Sequence, residues 1–167
     1  MNDGTSKMNA ERCFLGRHEC AVDKQRRLAV PSSWRRESGA DRFYLLPGRG
    51  QSIQMIPEWS FQDLVEKLRT VSFADAQAAR ALAQIGSIAQ EAQCDKQGRI
   101  TLNPELHGYA GLAGRALLLG SVTFVQIWSP EVWQDQQMTT DSCLDVIQRI
   151  QEQPDDLTHI LRTAAGN

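Results

Sequence analysis

The sequence lacks any apolar run long enough to cross a bilayer: its most apolar stretch lies around Ala116 to Leu119, and a spanning helix needs about twenty such residues. Met1 to Cys13 is polar and lacks the apolar core of a secretory signal, so a soluble protein without a signal peptide is expected. Cysteine is sparse and unpatterned. Cys13, Cys20, Cys94 and Cys143 form no C-x-x-C pair and no ordered spacing with His18, His107 or His159, which argues against a zinc framework and leaves reduced, structural thiols. Phosphate loops of the G-x-x-x-x-G-K type, G-x-S-x-G elbows and carboxylate or histidine pairs at metal-ligand spacing are all absent. Neither catalysis nor a metal, cofactor or small-molecule substrate is therefore expected.

A large charge excess is missing too. The net charge of −2 and a sequence pI near 5.9 argue against a protein that coats nucleic acid without selectivity. The average conceals an asymmetry, because Arg17, Lys24, Arg26, Arg27, Arg35, Arg36 and Arg42 crowd one early stretch while the chain beyond Ser129 is mainly acidic. A local basic face on an acidic body suits a selective DNA binder; a merely solvated face is the competing reading. What is present in full measure is core material: 167 residues with 41% hydrophobic content can fill a compact interior.

The most informative feature is an internal repeat. Asp23-Lys24-Gln25-Arg26-Arg27-Leu28 returns about seventy residues later as Asp95-Lys96-Gln97-Gly98-Arg99-Ile100. The flanks repeat as well: Glu19 matches Glu91, Pro31 has its counterpart in Pro104, Leu45-Leu46 line up with Leu117-Leu118, and Ile53-Gln54-Met55 with Val125-Gln126-Ile127. Pro57-Glu58-Trp59 is echoed by Pro130-Glu131-Val132-Trp133. One D-x-x-x-R arises readily by chance; two inside matching flanks indicate a duplicated structural unit.

Each unit reads as strand, turn, strand, short helical turn, hairpin, helix. Arg17 to Val22 and Leu28 to Val30 flank a polar turn and are expected to pair as a hairpin. Pro31 ends the second strand and a brief helical turn over Ser32 to Glu37 follows. Phe43 to Leu46 and Ser52 to Ile56 form a second pair about Pro47-Gly48-Arg49-Gly50, and a helix opens with Pro57 at its first position and runs to Thr70. Its stripe Phe61, Leu64, Val65 and Leu68 is expected to be core. An Ala-rich helix, Ala74 to Ile85, is expected to stop near Gly86 and join the copies. In the second copy Arg115 to Leu119 pairs with Ser121 to Trp128 before a helix from Pro130. Asp141 to Gln153 and Asp155 to Ala165, separated by Pro154, read as an amphipathic tail. The resulting division is a disordered extension over 1–10, units at 11–73 and 87–138, a linker helix at 74–86 and a helical tail at 139–167.

On these residues the chain resembles the MraZ family, a branch of the AbrB-like swapped-hairpin proteins, from Phe14 to about Gln137. The resemblance rests on the motifs Asp23 to Arg27 and Asp95 to Arg99, the strand Val125 to Trp128 with Trp133 after it, and the duplication itself. It implies a β-rich α+β fold in which two tandem SpoVT-AbrB-like units interlock into one pseudo-symmetric β-barrel with flanking helices. It further implies a cytoplasmic, nucleoid-associated transcriptional regulator of the cell-division and cell-wall gene cluster, a homo-oligomer joined in a closed ring that binds direct repeats in double-stranded promoter DNA.

The residues themselves suggest roles. Asp23 and Asp95 begin each turn and can accept its backbone N–H groups, and Gly98 shapes the second turn. Arg27 and Arg99 offer planar forks for guanine edges or phosphates, with Lys24 and Lys96 as point charges to the backbone; a salt bridge from each arginine to its own aspartate is the alternative. The family favours Lys-Gly-Arg in both turns, yet here Arg26, itself counted with these lysines and arginines as a DNA-binding candidate, stands where Gly98 sits in the second, adding charge but costing roughly 1 to 2 kcal/mol if that position requires positive φ. Arg80 alone stands in the linker helix, where the family commonly carries two arginines a turn apart. The rival functional class is a ring-forming scaffold or antitoxin-like protein-binding module without operator recognition.

Overall fold

The computed structural model describes residues 12–36, 41–72 and 74–152. In the first copy β1 (Arg17–Ala21), β2 (Arg27–Ala29), β3 (Arg42–Pro47) and β4 (Ile53–Pro57) are followed by α1 (Glu58–Leu68). Helix α2 (Ala76–Ile88) leads into β5 (Gln90–Gln93), β6 (Arg99–Thr101), α3 (Pro104–Tyr109), β7 (Arg115–Gly120), β8 (Val125–Trp128) and α4 (Pro130–Gln136). A single 3-10 turn at Ser32–Trp34 stands in the first copy where α3 stands in the second. The strand ladders are all antiparallel, and the protein is of α+β class. No helix among the described residues is long and apolar enough to cross a membrane.

The two copies interlock. The larger sheet runs β1-β7-β8-β4-β3-β5, and β2 pairs with β6 in a separate ribbon. Exchanging each strand for its counterpart in the repeat leaves that order unchanged when read from the other end, which is the signature of a pseudo-two-fold. Gln54 faces Gln126 across β4 and β8, and Leu28 faces Ile100 across β2 and β6, so counterparts meet at the centre of both sheets. Ion triads on the surface repeat the relation: Arg42 reaches Glu58 and Glu91, while Arg115 reaches Glu131 and Glu19. All six side chains are well exposed, so the triads mark the symmetry more than they stabilise it.

Two expectations are corrected by this topology. β1 and β2 do not pair as a hairpin; β1 lies on β7 and β2 on β6, and the turn between them is closed by Asp23 N–H donating to the carbonyl of Arg27. Both strands satisfy their ladder bonds in the other copy. Nor do the ladders close a barrel. β1 and β5 are the edges of the six-stranded sheet and no ladder joins them among the described residues.

The core lies where the ribbon's apolar side meets the larger sheet. Leu28 and Ile100 cluster with Leu45, Ile53, Met55, Val125 and Ile127, all at most 1% exposed. Trp34 and Leu106, placed alike in the two copies, bury at 3% and 0%. The helices depart from expectation in three respects. Pro57 is the last residue of β4, opposite Phe43, and caps α1, which begins one residue later. Asp75 caps α2 by accepting from Gln77 and Ala78, and the helix runs through Gly86 to Ile88, since a single interior glycine costs only about 1 kcal/mol. The α1 stripe is not core: Phe61, Leu64 and Val65 are half-buried and Leu68 is 37% exposed. Phe61 stacks on Tyr44 at 3.9 Å, but Val65 and Leu68 border an apolar groove of about 300 Å³ shared with Val71, Ala79 and Leu82.

The chain divides after Trp133, and the later residues stand as a unit of their own. There α5 (Thr140–Glu152) exposes Leu144 and Ile147. The expected extension at 1–10, Glu37 at the end of the helical turn, Pro154 and the segment Asp155 to Ala165 lie outside the described residues.

Candidate nucleic-acid interface

The two D-x-x-x-R turns fold alike down to individual bonds. Asp23 Oδ1 accepts from the N–H groups of Gln25 and Arg27, each at 2.9 Å, and Asp95 Oδ1 accepts from Gln97 and Arg99 at 2.9 Å. Arg26 N–H donates to the Asp23 carbonyl and Gly98 N–H to that of Asp95, both at 2.9 Å. This is an aspartate-closed turn in which the carboxylate takes up donors the ladder leaves over. Both carboxyls are held below the ordinary value of 3.8, chiefly by the backbone N–H of Arg27 or Arg99 and further by the arginine side chain.

A carboxylate with a depressed pKa supports the loop above its unfolded-state value near 3.9 and loses that contribution as pH falls through the folded value. Loop order should therefore be unchanged from neutral pH to about 4 and fail below it. Carbon NMR titration of the two carboxyls checks this: both midpoints should lie below 3.8, and a midpoint at or above that value contradicts the geometry.

The arginines bond to their own aspartates, as the alternative had it. Arg27 Nε donates to Asp23 Oδ2 at 2.6 Å and Arg99 Nε to Asp95 Oδ2 at 2.9 Å, yet the side chains stay 32% and 29% exposed. Because opposed residues in an antiparallel pair point to the same side, Arg27, Ala29, Arg99 and Thr101 share the outer face of the β2–β6 ribbon, while Leu28 and Ile100 face the core. The Cα atoms of the two arginines lie roughly 8 Å apart on that face, from strand rise and spacing. Lys24 and Lys96 are exposed in the turns, with no ion pair among the described residues.

The position in question at Arg26 does require positive φ: it is +60° there and +75° at Gly98. The first turn keeps its shape despite the non-glycine residue. Arg26 gains a compensating bond, its Nε donating 3.0 Å to the carbonyl of Leu102 just beyond β6. Position 35, not singled out from the sequence beyond the basic run, belongs to the same region: Arg35 Nε donates 3.0 Å to the carbonyl of Val30 just beyond β2, and its guanidinium lies against Gly98. Arg80 sits exposed on α2.

Elsewhere, burial pushes the Cys94 thiol up to about 11, and the Cys20 thiol is raised for the same reason, so neither offers a ready thiolate.

The family model described as "MraZ protein, putative antitoxin-like" matches twice, at residues 13–84 and 87–150. Similar proteins named "Transcriptional regulator MraZ" include one from Thermomicrobium roseum, 38% identical over 120 residues that span 72% of this chain and 84% of the relative. One from Desulforamulus reducens is 34% identical over 120 residues and one from Rhodococcus jostii 31% over 121, with the same 72% and 84% coverage. The two matches fall on the two interlocked copies, and the likeness extends over most of both chains: the protein belongs to the MraZ family.

Proposed function

We propose that the protein is a sequence-specific DNA-binding transcriptional regulator that applies the outer face of the β2–β6 ribbon, with its two turns, to the major groove. The observation that carries this reading is one exposed face bearing Arg27 and Arg99, with an aspartate-closed turn at either end. A two-stranded ribbon fits the major groove, and a guanidinium steadied by a carboxylate along one edge is pre-oriented to present the other to guanine or phosphate. Lys24 and Lys96 supply phosphate contacts. The relatives' name supports the regulatory role. In this reading the protein works in the cytoplasm, on the nucleoid, at direct repeats in the promoter of the cell-division and cell-wall gene cluster.

Assembly into a ring-shaped homo-oligomer completes the proposal. One protomer of net charge −2 offers few phosphate contacts, whereas loops of neighbouring protomers meeting successive repeats gain roughly a hundredfold in affinity with no new contact. The apolar groove between α1 and α2 is surface that a neighbouring protomer could cover. A second reading, an antitoxin-like protein-binding module, is favoured by the family description and by arginines already neutralised by their own aspartates.

Binding to DNA from upstream of the protein's own gene separates the two. At fixed salt, deleting one of two tandem repeats, or shifting their spacing by about half a helical turn, should weaken binding roughly a hundredfold. Equal affinity for all three DNAs, or none for any, would favour the protein-binding module.

A further inference from the structure

The turns differ at one position, and the difference is answered elsewhere in the fold. Lys24, Arg26 and Arg27 against Asp23 leave the first turn two positive charges, whereas Lys96 and Arg99 against Asp95 leave the second only one. Arg35 makes up the deficit. Its guanidinium occupies the space in which a side chain at position 98 would begin, since a Cβ built on Gly98 would overlap the Arg35 guanidinium. Both guanidiniums do the same thing at opposite ends of the ribbon. Arg26 Nε donates to the carbonyl of Leu102 and Arg35 Nε to that of Val30, each at 3.0 Å, and Leu102 and Val30 are counterparts in the repeat.

Aligning Asp23 with Asp95 sets Arg35 opposite His107. The first turn thus carries its own arginine and has histidine at the position aligned with Arg35, and the second has glycine in the turn and arginine in support. The exchange is reciprocal, so one guanidinium site exists at each end of the ribbon and is filled by two different routes. Among the described residues neither Arg26 nor Arg35 has a carboxylate partner, in contrast to Arg27 and Arg99. Their Nε atoms are tied to backbone, which fixes the guanidinium planes and leaves the terminal amino groups as donors. Half-exposed, held in place and without a carboxylate partner among the described residues, they are the guanidiniums best prepared to meet a phosphate.

We propose that Arg26 and Arg35 form a second, pseudo-symmetric pair of DNA-contacting guanidiniums, and that Arg35 supplies to the second turn the contact its glycine cannot. The proposal rests on the DNA-binding reading and adds to it a residue outside both turn motifs.

The test uses the full-length chain, with DNA from upstream of its own gene at several salt concentrations, and thermal melting of each variant. R26G and R35H should each weaken binding about tenfold and lower the slope of log affinity against log salt by about 0.9, the amount for one lost phosphate contact. Transplanting the opposite arrangement should restore both quantities: R26G/H107R at the first turn, R35H/G98R at the second. Reading both rescues guards against one pair failing to fold. If R26G and R35H lower the melting temperature but leave affinity and salt slope at wild-type values, the two residues only brace the ribbon and the proposal is overturned. If binding is lost and neither folded double variant recovers it, the site is not shared between the two routes, which also overturns it. Wild-type protein that fails to bind would instead remove the DNA-binding reading itself, and this proposal with it.

Discussion

A fragment covering residues 8–70, the first repeat with its helix, should not fold as a monomer. Its β1 and β2 find their ladder partners in β7 and β6, both of which the fragment lacks. Leu28 would lose Ile100, and β4 would lose β8. What remains is one β3–β4 hairpin with a helix that contains no buried residue, and an isolated hairpin is marginal in water. A chain of that length also buries a small fraction of its surface. Because the two copies are equivalent by the pseudo-two-fold, two fragments could exchange strands and rebuild the arrangement as a dimer. Circular dichroism with analytical ultracentrifugation should find either an unfolded chain or a dimer, and a monomer that melts cooperatively would contradict the interlocked account.

The duplication could be read from the two motifs and their flanks, and the β3–β4 and β7–β8 pairs from apolar strands closing on short turns. Strand exchange could not. The pattern of β1 is compatible with β2 beside it or with either third strand, and period-two alternation specifies a face, not a partner. The half-exposed α1 stripe has a similar cause. Helical spacing marks Phe61, Leu64, Val65 and Leu68 as one face but does not say whether this chain alone provides enough surface to cover it.

Replacing Arg27 and Arg99 together by alanine should weaken specific binding at least about thirtyfold while leaving the fold intact. If each arginine reads a base, losing it costs about 1 to 3 kcal/mol, a factor of roughly 5 to 150. At a separation of roughly 8 Å with no shared partner the losses should approximately add, so the double change should weaken binding by a factor of about 30 or more. Stability is another matter. The ion pairs to Asp23 and Asp95 are about one-third exposed, and solvent-screened pairs of that kind contribute little to stability. The aspartates keep the backbone donors that shape the turns, since those bonds do not involve the arginine side chains.

The aspartate-closed turns were legible because an aspartate followed by polar residues favours this local geometry, whatever lies beyond it. The self-paired arginines stood among the alternatives for the same reason, being four residues from a carboxylate. Arg35 was not legible as part of the site, since its contact is with Gly98, distant in sequence and brought near only by strand exchange. The available signal was the double mismatch in the repeat alignment, arginine for glycine at 26 and 98 and arginine for histidine at 35 and 107, which has meaning only once strand exchange is seen to bring Arg35 against Gly98.

The central claim, that the outer face of the β2–β6 ribbon reads DNA, is tested most directly by titrating labelled upstream DNA with wild-type protein and the R27A/R99A variant at one salt concentration, with melting curves of both. The account predicts salt-sensitive wild-type binding, at least about a thirtyfold loss in the variant, and nearly unchanged melting temperatures. A variant that binds as tightly as wild type but melts markedly lower would contradict it, because the arginines would then serve only the turns that hold them.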